Sequence, residues 1–223
     1  MIGKNEDFQS LLDEAVRFHG HLCGGQILGV RMAMAGLREL EIKDPRGREG
    51  RDLVIFVEID RCATDAIIAV TGRTPGKRSI KIIDYGKMAA TFVDIGSRRA
   101  VRVSVRGDSR KKVEQMAKTD FPREDGKQAD LAALMAIAEK DLLMIQEVRV
   151  NLRPQDLPGV PLDSVICQEC GEAVLDMRHV LRKGRVLCKS CAQLGDYYTV
   201  HAPSFSVHAS RGKVHRVRKG QTS

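Results

Sequence analysis

Four cysteines near the C-terminal end constrain the fold of this chain more than any other residues. They are Cys167-Gln168-Glu169-Cys170 and, after seventeen intervening residues, Cys188-Lys189-Ser190-Cys191. Two CxxC knuckles at this separation supply the four thiolates of a tetrahedral zinc site. Each knuckle bends the backbone so that both sulfurs face one point, and Gly171, directly after the first, tolerates positive φ without steric penalty. Four buried structural cysteines or a redox pair would not need this spacing. A site with four thiolate ligands is coordinatively full, so this zinc holds a fold and performs no chemistry. Any reaction or ligand chemistry must lie elsewhere.

At 223 residues the chain fits one medium domain plus a small one. With no tryptophan, three tyrosines and six phenylalanines, the core must be built from Ile, Val, Leu, Met and Ala. Met1 to Asp7 is polar with no apolar run after it, unlike a signal peptide, and no stretch reaches the ~18 apolar residues of a membrane span. These features predict a cytoplasmic protein with no membrane association, whose reduced cysteines serve as metal or reactive groups. The net charge of +8 is unevenly placed: the tail from His201 to Ser223 holds Arg211, Lys213, Arg216, Arg218 and Lys219 and no acid. Such a tail either keeps the protein soluble or neutralises nucleic-acid phosphates, though it lacks the interleaved aromatics of a base-stacking surface.

Helical spacing of Phe8, Leu11, Leu12, Ala15 and Val16 predicts a helix from about Phe8 to Arg17. A second, from Gly25 to Glu41, is apolar on nearly all sides and therefore buried, and Gly25 and Gly29 would let another backbone approach closely. Leu53 to Ile59 reads as an interior strand and Cys62 to Val70 as a short helix. Ser79–Tyr85, Ala89–Ile95 and Ala100–Val105 read as an antiparallel meander, Arg110–Lys118 as a short helix and Leu131–Ile145 as a longer one. Three prolines and a glycine between Asn151 and Pro161 mark a linker. The expected fold class is α+β, with the core at 1–150, the linker at 151–162, the zinc finger at 163–200 and the basic tail at 201–223.

The candidate chemical site is dispersed. His19, His21 and Cys23 lie within five residues, in a loop that runs into a helix. A helix N-terminus carries unpaired N–H groups and partial positive charge, which gives a cysteine there ligand and nucleophile character. The three side chains share a face if the loop is extended; a turn at Gly20 would break that alignment and leave His21 as the partner of Cys23. Asp60-Arg61-Cys62-Ala63-Thr64-Asp65 follows the apolar strand, with Asp60 or Asp65 reading as a helix cap and Cys62 as a ligand or a buried small side chain. Thr71-Gly72-Arg73-Thr74-Pro75-Gly76-Lys77 fails as a P-loop: three residues separate the glycines where four are needed, and Arg78 follows the lysine. Lys77 remains a candidate anion contact.

Together, Phe18-His19-Gly20-His21-Leu22-Cys23-Gly24-Gly25, Asp60-Arg61-Cys62 with Asp65, Thr71-Gly72 through Gly76-Lys77, and Asp84-Tyr85-Gly86-Lys87 resemble the FmdE family, named for the formylmethanofuran dehydrogenase operon, over about residues 8–150. The four-cysteine segment looks like the treble-clef zinc finger that some members append. The resemblance implies an α+β core with an antiparallel sheet, often an intertwined homodimer, and a cleft where a second metal binds. It carries His21, Cys23 and Cys62 over as ligands or catalytic groups. The chain departs from the pattern at Arg73, where many relatives have cysteine, and at Gly24-Gly25, where Pro-Gly is common. With four of six cysteines assigned to zinc, too few remain for a four-cysteine iron–sulfur cluster within the chain. The role that the resemblance implies is therefore at most that of a zinc-binding accessory to a molybdenum or tungsten formylmethanofuran or formate dehydrogenase system, with the finger expected to dock a partner protein. Two other classes compete: a zinc-finger regulator that binds nucleic acid or a protein partner, and an enzyme with Cys23 as nucleophile and His19 or His21 as base.

Overall fold

The computed structural model describes the backbone of residues 4–195, 197 and 198, and side chains from Phe8 onward. The basic tail at 201–223 lies outside the described residues. The chain divides into two compact units, one ending at Leu152 and one starting at Arg153.

In the first unit, α1 (Lys4–His19) and α2 (Gly24–Glu39) precede β1 (Leu53–Val57), α3 (Cys62–Thr71), β2 (Ile80–Ile82), β3 (Ala89–Asp94) and β4 (Arg99–Val105). Helices α4 (Ser109–Asp120) and α5 (Gly126–Ala136), the short turn α6 (Glu139–Leu142) and β5 (Leu143–Glu147) complete it. As its all-round apolar composition requires, α2 is the central helix: Ile27, Val30, Met32, Ala33 and Ala35 are buried against α1, α3 and the sheet. The sheet contributes Leu53, Ile55, Val57, Phe92 and Val103 to the same apolar core. Burial on this scale is the main favourable contribution to folding of the unit.

Two expectations are corrected. The segment 79–85 is not part of an antiparallel meander. Only Ile80–Ile82 forms a strand, and it runs parallel to β1, with Ile55 opposite Ile80. The cause is α3, which serves as a crossover and returns the chain in the direction of β1. The sheet is therefore mixed, in the order β2-β1-β3-β4-β5, with every other pairing antiparallel. The second correction concerns Leu131–Ile145. The helix starts earlier, where the Asp125 carboxylate accepts from the Gln128 N–H at 2.8 Å, and ends at Ala136. Ile137 leaves the helical conformation, at ψ 137, Ala138 is extended, and Leu143–Glu147 is an edge strand on β4. Leu143 and Ile145 pair with Val105 and Val103 of β4, and this pairing overrides the helical pattern.

At the end of β1, Glu58 is only 7% exposed and forms a bidentate pair with Arg102 of β4, at 2.7 and 2.8 Å. The pair ties the strand end, from which residues 60–62 depart, to the sheet. The Arg102 hydrogen bond outweighs burial and holds the Glu58 carboxyl below the ordinary glutamate range.

The second unit has a 3-10 turn at Pro154–Asp156 and two hairpins, β6 (Ser164–Ile166) with β7 (Ala173–Leu175) and β8 (Val180–Arg182) with β9 (Arg185–Leu187). Its buried cluster consists of Cys167, Leu187 and Ala192. Val160, Ile166 and Leu181 are exposed. The second knuckle, Cys188–Cys191, lies in a run of turns.

Candidate functional site

Among the described residues, metal-ligand side chains gather in two groups. The first is Cys167, Cys170, Cys188 and Cys191, whose sulfurs all lie within 4.8 Å of one another. Gly171 has φ +77, the positive value expected after the first knuckle. The Cys188 N–H donates to Cys167 Sγ at 3.2 Å and the Cys191 N–H to Cys188 Sγ at 3.3 Å. Burial pushes the Cys167 thiol up, but the N–H groups of Cys170, Cys188 and Glu169 outweigh it and bring the thiol to about 6. Burial and the neighbouring sulfurs push Cys191 up. Four anionic sulfurs this close repel unless a cation stands among them, so the donor set fits zinc and is closed by its own four ligands.

The second group is His19, Cys23 and Cys62, again with ligand atoms within 4.8 Å. It is assembled by helix packing. Cys23 is the extended N-cap of α2, at φ −147, and its thiol makes no capping bond. Cys62 opens α3, which lies so close to α2 that a side chain on Gly25 would put its Cβ 2.7 Å from Cys62 Cβ, and one on Gly29 would put its Cβ 2.4 Å from the Ala63 carbonyl oxygen. The buried Gln26 side chain fastens the contact, donating from Nε2 to the Cys62 carbonyl at 2.6 Å. Burial, and then the Cys23 thiol it hydrogen-bonds, push the Cys62 thiol up.

The histidine in this group is His19, not His21. The expected turn at Gly20 is present, at φ +100, but α1 runs through His19 before it. His21 lies beyond the turn and is exposed, with its ring 4.7 Å from that of His19. His19 Nδ1 lies 2.8 Å from Asp65 Oδ2, and the buried Nε2 has no hydrogen-bond partner. Neither Asp60 nor Asp65 caps α3, whose N-cap is Arg61. Asp65 pairs with His19 instead. Gln26 went unread, although a glutamine in the first turn of a largely apolar helix could have marked it; the Asp65–His19 pair spans 46 positions and had no local signal.

The remaining candidates stay apart from this group. Lys77 is exposed, and its N–H donates to Thr74 Oγ1 at 3.3 Å. Arg73, standing where relatives often have cysteine, donates from Nη1 to the Gly50 carbonyl at 2.7 Å and so fastens a loop. A cavity of about 810 Å³ beside the second half of α2, lined by Phe8, Leu11, Arg31 and Met34 among others, includes no cysteine or histidine.

Comparison with known proteins agrees with this division. Residues 18–150 match the family described as "FmdE, Molybdenum formylmethanofuran dehydrogenase operon", and residues 162–194 match the prokaryotic DksA/TraR C4-type zinc finger. The chain is 30% identical over 203 residues to a probable S-adenosyl-L-methionine-binding protein of Archaeoglobus fulgidus, a match covering 85% of this chain and 54% of the relative. The chain thus spans about half the length of that relative. A crystal structure of a tungsten formylmethanofuran dehydrogenase FmdE-like protein from Syntrophus aciditrophicus has a similar fold, with TM-score 0.56 and 22% identity over 86% of this chain and 95% of the other. No helix among the described residues is long and apolar enough to cross a membrane. The family pattern covers more than half of the chain and includes His19, Cys23 and Cys62, and the chain belongs to the FmdE family, with a four-cysteine zinc-finger segment after its core.

Proposed function

We propose that this chain is a cytoplasmic metal-binding accessory protein of molybdenum- or tungsten-dependent formylmethanofuran or formate dehydrogenase systems. The convergence of His19, Cys23 and Cys62 carries the reading: two thiols and an imidazole, drawn from three elements, meet beside a carboxylate that holds the imidazole. Sulfur and imidazole together suit a thiophilic divalent ion. Here α2 and α3 hold the two sulfurs in register, and Asp65 orients the ring. A metal in this set would supply Lewis-acid or ligand-carrying capacity.

Zinc at Cys167, Cys170, Cys188 and Cys191 has a structural role in this reading. The finger's hairpins leave Ile166, Leu175 and Leu181 exposed, which supports docking to a protein partner. Homodimerisation of the core belongs to the same proposal, through the family resemblance. Metal analysis of the full chain is the test. Two divalent ions per chain are expected, falling to one in the Cys23→Ala, Cys62→Ala double variant. One ion in both proteins would remove the core metal. S-adenosylmethionine is a control ligand, since the relative named for binding it extends well beyond the matched region.

A further inference from the structure

We infer that Asp65 is a positioning residue that fixes His19 with Nε2 as the metal-donor atom, and that the resulting His19–Cys23–Cys62 set keeps one coordination position open for an exogenous ligand. This rests on the proposed core metal site and states how that site is built. Asp65 lies three residues after Cys62 on α3, so one helical turn delivers both a sulfur and a carboxylate to the same side. Its Oδ2 is 2.8 Å from His19 Nδ1. A carboxylate at that distance retains the ring proton on Nδ1 and leaves the lone pair on Nε2. Nε2 is buried and without a partner, although a buried ring nitrogen ordinarily finds one. A metal ion among the two sulfurs and Nε2 would supply it.

The donor count separates this site from the finger. Four thiolates complete a tetrahedron, whereas three protein ligands leave a vertex for water or an incoming group. Among the described residues no fourth histidine, cysteine or carboxylate ligand atom falls within the 4.8 Å group. Asp65 is engaged by the ring and His21 stands outside.

The test uses the full-length protein with its finger loaded. Zinc affinity of the core site is measured against a chromophoric chelator, with the Cys23→Ser, Cys62→Ser variant as baseline. Asp65→Ala should weaken the core site about 10- to 100-fold. Asp65→Asn should weaken it less, because the amide oxygen still accepts from Nδ1–H. The cobalt-loaded core should keep its thiolate charge-transfer bands in Asp65→Ala at saturation while its ligand-field bands shift. A purely structural role for Asp65 would lower the metal-free melting temperature and leave affinity and spectrum alone. Azide should shift the ligand-field bands of the wild-type cobalt protein. If wild type takes up no core ion, both this inference and the core-metal proposal fall. If wild type binds and Asp65→Ala binds equally tightly with the same spectrum, the positioning role falls and the metal site stands. Cobalt bands indifferent to saturating azide would overturn the open position.

Discussion

The two ligand clusters share cysteine sulfur as a donor, to which the core adds an imidazole nitrogen, and they arise in opposite ways. In the finger, all four sulfurs come from two knuckles within 25 residues, and the unit has almost no core beyond Cys167, Leu187 and Ala192. In the core, a histidine and two cysteines come from three elements, held in place by an apolar interior that includes Ile27, Val30, Ile55 and Phe92. The finger has few buried side chains beyond its cysteines, whereas the core cluster sits on an extensive apolar interior. The expectation is that metal couples to stability in the finger and, under the proposed function, to ligand chemistry in the core.

The largest expected effect breaks the comparison at the finger. Removing zinc with a chelator, or Cys170→Ser, should abolish the ordered structure of residues 163–195, because structural zinc contributes about 10–16 kcal/mol in such small modules. Amide hydrogen exchange should show that loss while core protection persists. Loss of core protection at the same time would end the distinction.

Next comes the ion pair at the end of β1. Glu58→Gln leaves the Arg102 guanidinium, with its side chain 22% exposed, without its charge partner, and should cost the core about 3 kcal/mol by denaturant unfolding. A pH effect accompanies it. The folded-state pKa of Glu58 is depressed, so its contribution is complete above the unfolded value of about 4.3 and is lost as pH falls through the lower folded value. Wild-type stability should fall more steeply with acidification below about pH 4.3 than that of Glu58→Gln.

Gly29→Ala tests the helix contact that brings Cys62 to Cys23. Its Cβ would meet the Ala63 carbonyl oxygen at 2.4 Å, backbone that can yield only if α3 moves. About 2 kcal/mol of core stability should be lost. Core metal affinity should fall with it while the finger stays loaded, by calorimetry and metal titration. A smaller cost, about 1 kcal/mol, is expected for Asp125→Ala, which removes the α5 cap without touching either site.

The smallest change in stability belongs to the core ligands themselves. Cys23→Ser with Cys62→Ser should leave the metal-free melting temperature almost unchanged while removing the second ion. A collapse of the core in this variant would show that its ligands, like those of the finger, hold the fold.

Legibility in the sequence followed distance along the chain. Helices α1 to α4, β1, β3 and β4 were readable because their apolar periodicity is local. The parallel run of β2 was not, since direction depends on where α3 packs, and β5 was hidden because Leu143 and Ile145 suit a helix as well as a strand on β4. Cys23 and Cys62 were marked by residue type. The choice between His19 and His21 was not, because it depends on whether α1 ends before or after Gly20 and on a carboxylate 46 positions away.

By itself the sequence determined the finger's ligands, the Gly171 turn, the burial of α2 and the family to which the core belongs. These follow from short-range spacing and from residue types with few conformational alternatives. The tertiary structure decided which histidine joins the thiols, that Asp65 pairs with it, that Gln26 fastens Cys62, and that Arg73 and Lys77 stand aside. Those outcomes depend on the closeness of α2 to α3 at Gly25 and Gly29, a contact set by packing across distant segments that no local pattern encodes.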